Sequence, residues 1–271
     1  MVRQMKMNRT ISKRQQRLAE LLRSTSGTIR VDDVVRVFDI GKPQANKILS
    51  NWHHQGVLRR VSHGLYVPVK PTDLGQVQIL EDPWILVPEL FDPGYVAGWS
   101  AAEHWELTEQ VFRSICVLTN KRTGYGDRKI QGVNFYIKYI PKSLVFGLKT
   151  IWKGPLKVLI SDPHKTILDM MSDPYLGAGL QHTFDCFKAY LAHHDKDLDK
   201  VLEYADKISN GALFKKLGYF AELNNLDSPF ISHCQDRLRK GYSKLDNAAK
   251  NQKLITRWRL WVPQNWAPND K

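Results

Sequence analysis

Cysteine is scarce in this chain, with 3 residues in 271 at Cys116, Cys186 and Cys234. They are far apart and never spaced Cys-x-x-Cys, which excludes a zinc ribbon and argues against a disulfide scaffold; they read as ordinary buried thiols. No apolar run approaches the roughly 18 residues of a spanning helix, so no membrane association is expected. Met1 to Thr10 is basic and polar with no apolar core behind it, so no secretory signal is expected and the default compartment is the cytoplasm. Internal repeats and low-complexity stretches are absent. So are a Walker A loop and Gly-x-Ser-x-Gly, and Gly124-Tyr-Gly-Asp lacks the rest of a dinucleotide fingerprint. Asp-Pro occurs at 82, 92, 162 and 173, but none is followed at strand spacing by the Glu-x-Lys of a metal-dependent nuclease. The pairs His53-His54 and His193-His194 end helical segments, where a cationic His suits the helix dipole. The expectation is therefore no enzyme, no cofactor and no metal.

Charge, by contrast, is plentiful and uneven. The chain carries 40 Lys and Arg against 27 Asp and Glu, a formal +13, with 42% hydrophobic residues and a mean hydropathy of −0.40 that suit a core-forming globular protein. Residues 1–70 hold 14 Lys and Arg and 4 Asp and Glu, whereas residues 71–112 hold 8 acids and no Lys or Arg. Residues 113–157 reverse the balance, 10 bases to 1 acid. A basic surplus concentrated at one end is the footprint of a module that neutralises phosphates; a solvated surface is the plainer reading.

The first seventy residues add a pattern to that charge. Ser12 with Gln15 forms a capping-box arrangement ahead of Leu18, Leu21 and Leu22. Ile29 and Val31 suit a short strand, and Asp32 is placed to cap a helix carrying Val34, Val35 and Phe38 that stops at Asp39 to Gly41. In the third helix Pro43 suits the first turn, and Ala45, Ile48, Leu49 and Trp52 recur at i, i+3, i+4 and i+7 as a buried stripe. Gln44, Lys47 and Asn51 then lie on the opposite side, flanked by Ser50 and His54; these are base-reading and phosphate-reading side chains. Gly56 to Val67 reads as two strands around Ser62-His63-Gly64, with Gly64 free to take a positive φ. Three helices and a hairpin in this order predict a winged helix-turn-helix over residues 1–70. Gln44, Lys47, Ser50 and Asn51 are expected in the major groove of double-stranded DNA, and Lys42, Arg59, Arg60 and His63 on its backbone. A winged helix used only for protein docking stays open beside it.

After a linker at Pro68 to Gly75 the style changes. Strands are expected at Tyr95 to Ala97, Arg113 to Asn120, Val133 to Ile140 and Lys157 to Ser161. Ser100 is expected to cap a short helix with Glu103, and Asp162 to cap another with Pro163 at its first position. Helices are expected over Phe184 to Ala192, Asp197 to Ile208 and Ala212 to Leu223. Residues 236–259 carry 8 bases and 2 acids; with Trp258, Trp261 and Trp266 they suit either single-stranded nucleic acid or, the preferred reading, a terminal strand tucking its tryptophans onto the fold.

The winged helix closing on Gly-Leu-Tyr-Val, Val96-Ala-Gly-Trp-Ser-Ala-Ala-Glu-His-Trp-Glu-Leu-Thr, Val117-Leu-Thr-Asn-Lys-Arg, Phe146-Gly and Ser161-Asp-Pro-His-Lys-Thr-Ile-Leu-Asp-Met-Met together resemble the AbiEi family. These are bacterial type IV antitoxins and transcriptional regulators of abortive-infection loci. The resemblance spans roughly residues 10–225 and rests on the order of short motifs; the basic tail has no clear counterpart. It implies a repressor of its own promoter that also counteracts a nucleotidyltransferase-like toxin encoded beside it, a phage-defence role in which a direct toxin complex is one possibility. In its Asp162-Pro163-x-Lys165-Thr166-x-x-Asp169 segment, Asp162 and Pro163 read as cap and helix start, while Lys165 and Asp169 stand as candidate surface contacts. Lys121, Arg122, Arg128 and Lys129 are candidates for partner or nucleic-acid contact, with a solvated loop as the alternative.

The fold expected is α+β: an N-terminal winged helix-turn-helix over 1–70, then an AbiEi-like antitoxin domain over 78–271, mixed α/β to 180 and mainly helical from 181 with a basic tail. The partners expected are double-stranded DNA and the toxin, in a cytoplasmic, nucleoid-associated protein. A plasmid-type replication initiator and a metal-dependent nuclease remain as alternatives.

Overall fold

The computed structural model describes residues 13–25, 27–62, 64–69, 82–122, 124–130, 132–153, 156–246, 250–264 and 266, and the chain is α+β. It divides into two compact units, one formed by the chain up to Glu81 with the short segments Ile130–Gly132 and Gly154–Leu156, the other by the rest of the chain from Asp82. The linker expected at Pro68 to Gly75 falls largely outside the described residues, as do Ser12 and His63.

In the first unit, α1 (Lys13–Arg23), β1 (Ile29–Arg30), α2 (Val31–Phe38), α3 (Lys42–His54), β2 (Leu58–Ser62) and β3 (Leu65–Pro68) follow one another. β3 lies between β1 and β2 and is antiparallel to both. Leu21, Ile29, Val34, Ala45, Leu49, Trp52, Leu58 and Tyr66 are buried together, and the edge of Trp52 meets Phe38 at 6.3 Å. The stripe read from α3 is thus its packed face, with Ile48 partly buried beside it. Pro43 sits in the first turn after an extended Gly41, and Gly64 has φ +75° in the turn between β2 and β3. One cap differs from expectation. The helix starts at Val31 after Arg30, and it is the Asp33 carboxylate, not Asp32, that reaches back to accept from the Arg30 N–H at 2.9 Å.

The second unit is built on a six-stranded mixed sheet. Its strands are β4 (Gly94–Val96), β5 (Ser114–Thr119), β6 (Gly126–Ile130), β7 (Val133–Tyr139), β8 (Leu148–Lys153) and β9 (Leu156–Ser161), in the spatial order β6-β7-β5-β4-β9-β8. β4 pairs antiparallel with β5 and parallel with β9, and β5 runs parallel to β7. A short helix, α4 (Leu86–Phe91), precedes β4, and α5 (Gly98–His104) follows it. α5 begins two residues before the expected Ser100 cap, at Gly98, which takes φ +53° and where an added Cβ would stand 2.6 Å from the Leu176 carbonyl. Ser100 lies inside the helix instead, its hydroxyl accepting from the Cys116 N–H of β5 at 3.0 Å.

Helices α6 (Pro163–Ser172), α7 (Leu180–Ala192), α8 (Leu198–Ile208), α9 (Leu213–Leu223) and α10 (Ser228–Asp236) then form one apolar core around Leu168, Phe187, Leu217 and Phe220. Asp162 caps α6, accepting from the Lys165 N–H at 2.8 Å, with Pro163 in its first turn. The three cysteines are buried free thiols. The last part of the chain is not only helical. β10 (Ser243–Lys244), β11 (Asn251–Ile255) and β12 (Leu260–Pro263) make a three-stranded sheet with β12 in the middle. Its tryptophans pack: Trp258 is fully buried and donates its indole N–H to Glu222, and Trp266 stacks on Phe220 and donates to the Gln181 side chain at 3.1 Å. Trp261 stays partly exposed at 36%.

Two predictions follow from this packing. A Cβ at Gly218 of α9 would overlap the Trp258 ring, so Gly218→Ala is expected to cost about 1–3 kcal/mol as overpacking, read as a lower midpoint in urea unfolding. His164 is buried with its Nδ1 2.7 Å from the Tyr190 hydroxyl, and burial lowers its pKa below the ordinary imidazole value. The unfolded chain therefore takes up that proton first. This contribution to stability is present above about pH 6.5 and lost as the pH falls. Tm is expected to drop on acidification from neutrality, and His164→Gln to flatten the drop in part, since burial shifts His104 the same way.

Candidate nucleic-acid interface

Because Ala45, Leu49 and Trp52 are held by the core, the opposite side of α3 faces solvent. Gln44, Lys47 and Asn51 are exposed there, Ser50 is half-buried at the margin, and His54 is exposed next to them. Lys42, also exposed, pairs with Asp32 of α2 at 3.0 Å. Both partners are open to water, so the pair is weak and a phosphate competes with it readily. Arg36 pairs in the same way with Asp33 at 3.0 Å, which leaves two acids of α2 matched on the helix surface. His53, on the other flank of α3, has its Nδ1 3.2 Å from the Leu58 carbonyl and ties the helix to the start of β2.

The hairpin separates its two arginines. Pairing runs Arg60 to Tyr66 and then Ser62 to Leu65, and the irregularity between them turns Val61 inward and leaves Arg60 exposed. Arg59 is half-buried, and burial lowers its pKa from the usual guanidinium range. Of the two arginines, Arg60 is the more exposed. Among the candidate contacts described in this unit, Lys42, Gln44, Lys47, Asn51 and Arg60 are exposed.

In the second unit Lys121, Arg122, Arg128 and Lys129 are exposed. Lys121 donates to the Leu90 carbonyl at 3.2 Å, and Arg128 and Lys129 lie on β6, an edge strand of the sheet. Lys165 does not join them. It is 1% exposed on α6, its ammonium ion-paired with Asp169, 3.4 Å from the Tyr95 hydroxyl and 5.1 Å over the Phe146 ring. The expectation of surface contacts at Lys165 and Asp169 is corrected: a residue four positions before its partner on a buried helix pairs inward. Burial raises the pKa of Asp169, while Lys165 holds it down. Tyr95, missed in the sequence, completes the cluster, and nothing in its local spacing signals a partner seventy residues away.

Among the described residues one group has metal-ligand spacing: His193, His194 and Asp195, with donor atoms within 4.8 Å of one another. Asp195 is bonded to Lys149 at 2.8 Å, so an ammonium already occupies its carboxylate. No helix among the described residues is long and apolar enough to cross a membrane.

Residues 16–69 match the family model of the AbiEi antitoxin transcriptional regulators. That segment contains α2, α3, the hairpin and every candidate DNA contact, and the match supports an antitoxin or regulator role. The resemblance read from the sequence holds there. Among solved structures, the RV2827C protein from Mycobacterium tuberculosis is similar over 93% of this chain and 92% of that one, with a TM-score of 0.65 and 11% identity. At that identity the likeness is one of fold. No curated protein matches the chain.

The Lys165 pair yields a prediction. Lys165→Ala leaves a buried carboxylate without its cation and is expected to cost about 3–5 kcal/mol, whereas Lys165→Met combined with Asp169→Leu is expected to recover most of that loss. Urea unfolding of the two variants beside the parent checks both.

Proposed function

We propose that this chain is a DNA-binding transcriptional regulator of the AbiEi antitoxin type, whose N-terminal unit works as a winged helix-turn-helix. The observation that carries this reading is the solvent-facing side of α3. Gln44, Lys47 and Asn51 share it, outside a core that takes the other side, within the segment that matches the regulator family. A docking helix has no need of amide and amine groups together on its free face. Base edges in a major groove do, because Gln and Asn match adenine and Lys matches guanine. Ser50 sits at the margin of this surface. Lys42 and Arg60 add phosphate contacts from either side of it, and Arg59 stands behind Arg60. His63 belongs to the same turn of the hairpin by sequence and lies outside the described residues.

In this reading the chain occupies the promoter of its own operon in the cytoplasm and represses it, and the second unit counteracts a nucleotidyltransferase-like toxin in a type IV abortive-infection system. The exposed Lys121, Arg122, Arg128 and Lys129 are the side chains of that unit offered to a partner or to nucleic acid. Neither a replication initiator nor a nuclease gains support from a particular observation.

The test is binding to the DNA upstream of the gene and to scrambled DNA of equal length, over a salt series with magnesium present. Lys47→Ala with Asn51→Ala is expected to reduce the preference for the upstream DNA by about 1–3 kcal/mol per lost base contact and to leave the fold intact. Arg60→Ala is expected to weaken binding to both DNAs alike and to lower the salt slope by about 1. Unchanged preference in the double variant would remove α3 as the reading helix, and cleavage of the DNA would replace the regulator with a nuclease.

A further inference from the structure

The second unit holds a cavity of about 480 Å³ between the start of β5 and the segment that joins α6 to α7, within the size range of small-ligand sites. One wall is aromatic. Trp99, Phe112 and Tyr175 line it, with Trp99 stacked on Phe112 at 5.7 Å and 28°; Tyr136 packs outside the lining, 5.5 Å from Trp99 and 4.5 Å from Tyr175. The only indole donor is already used, since Trp99 Nε1–H donates to the Ser114 carbonyl at 2.8 Å. Trp99 itself is 5% exposed, so it offers a ligand little ring surface and no hydrogen-bond donor; it backs the exposed ring of Tyr175.

The charged groups lining the cavity are all carboxylates: Asp127, Asp173 and Asp246. Asp173 is already matched, one oxygen accepting from the Tyr175 N–H at 2.9 Å and the other paired with Lys138 at 2.5 Å, while Asp127 is exposed on β6 and open to a ligand. Electron-rich ring faces beside carboxylates attract a cation and repel phosphate. Among cations, a planar guanidinium both lies flat on aromatic rings and donates in a fork to a carboxylate, which a compact ammonium cannot do. Tyr175 is 54% exposed, so the aromatic wall is open to a side chain arriving from another molecule.

We propose that this cavity binds an arginine side chain presented by a partner polypeptide, the guanidinium lying on the exposed Tyr175 ring and pairing with the Asp127 carboxylate. This site is separate from the α3 surface and does not depend on the DNA-binding reading.

The test titrates the full chain by calorimetry with a capped Gly-Gly-Arg-Gly-Gly peptide, the same peptide with citrulline or lysine in place of arginine, free arginine amide, and ATP. Citrulline keeps the shape and removes the charge. Saturable binding of the arginine peptide is expected, weaker by at least about threefold for the lysine peptide, and absent for citrulline and ATP. Tyr175→Ala and Asp127→Asn, both at exposed positions, are each expected to weaken it by about threefold or more while circular dichroism and Tm stay unchanged. Four results would overturn the proposal: no binding of the arginine peptide, equal binding of citrulline, binding of ATP at the same place, or indifference to both substitutions. Binding of free arginine amide more tightly than of the peptide would also overturn it, by making the ligand a small molecule instead of a polypeptide.

Discussion

Helix α6 is buried on every side, and nine consecutive residues from Pro163 to Met171 lie in the interior although four of them, His164, Lys165, Thr166 and Asp169, are polar or charged. A polar group removed from water must find a partner within the protein. Each one does, some within the helix and some across to its neighbours. Thr166 donates to the Asp162 carbonyl at 2.8 Å, His164 meets Tyr190 of α7, and Lys165 meets Asp169 of its own helix and Tyr95 of β4. The cap is bound as well, since Tyr204 of α8 donates to the Asp162 carboxylate at 3.0 Å. A helix of Leu and Met alone could rotate or slide and still be buried. These pairings admit one register and one rotation, so the polar residues of α6 define the arrangement of sheet and helices more than they add to its stability.

Segments scattered through the sequence owe their form to this helix. The Phe146-Gly147 turn lies against it: Gly147 has φ +64°, an added Cβ would stand 2.7 Å from Tyr204, and its carbonyl accepts from the Asp162 N–H at 2.8 Å. Trp105, in the segment after β4, donates its indole N–H to the Ser161 carbonyl at 2.7 Å. Three of the motifs that carry the family resemblance are thus parts of one joint. Their residues are fixed by packing, and none of them belongs to the proposed contact surfaces on α3, the hairpin, β6 and the aromatic cavity.

How much of this the sequence disclosed depends on the range of the interaction. Ala45, Leu49 and Trp52 announce their helix by period, Pro43 and Asp162 by position, and Gly64 by the turn it allows; all are relations within a few residues. Ser100 misled because its hydroxyl serves the Cys116 N–H across to β5, not its own helix end. Lys165 misled because a basic residue in a polar-looking segment reads as surface until Tyr95 and Phe146 close over it. The C-terminal sheet was hidden for the same reason: β10 pairs in parallel with β12, Ser243 beside Leu260, and neither strand is long enough to show an alternation of its own. Trp99, Phe112, Tyr136 and Tyr175 are likewise unrelated until the chain is folded.

Burial also changes what the charge count means. Lys165, Lys215 and Lys216 all enter the formal +13, yet each is buried. Lys215 donates to the Gly241 carbonyl at 2.7 Å and Lys216 to the Met171 carbonyl at 3.0 Å, and burial lowers the pKa of both. These ammonium groups bind the protein's own carbonyls and present nothing to a polyanion. Among the described candidate cations of the first unit, Lys42, Lys47 and Arg60 are exposed and Arg59 is half-buried. Release of counterions from a nucleic acid depends on cations that reach its phosphates. Three bases of the second unit are thus out of a ligand's reach, along with the acids Asp162 and Asp169, so the formal count overstates the charge that unit presents.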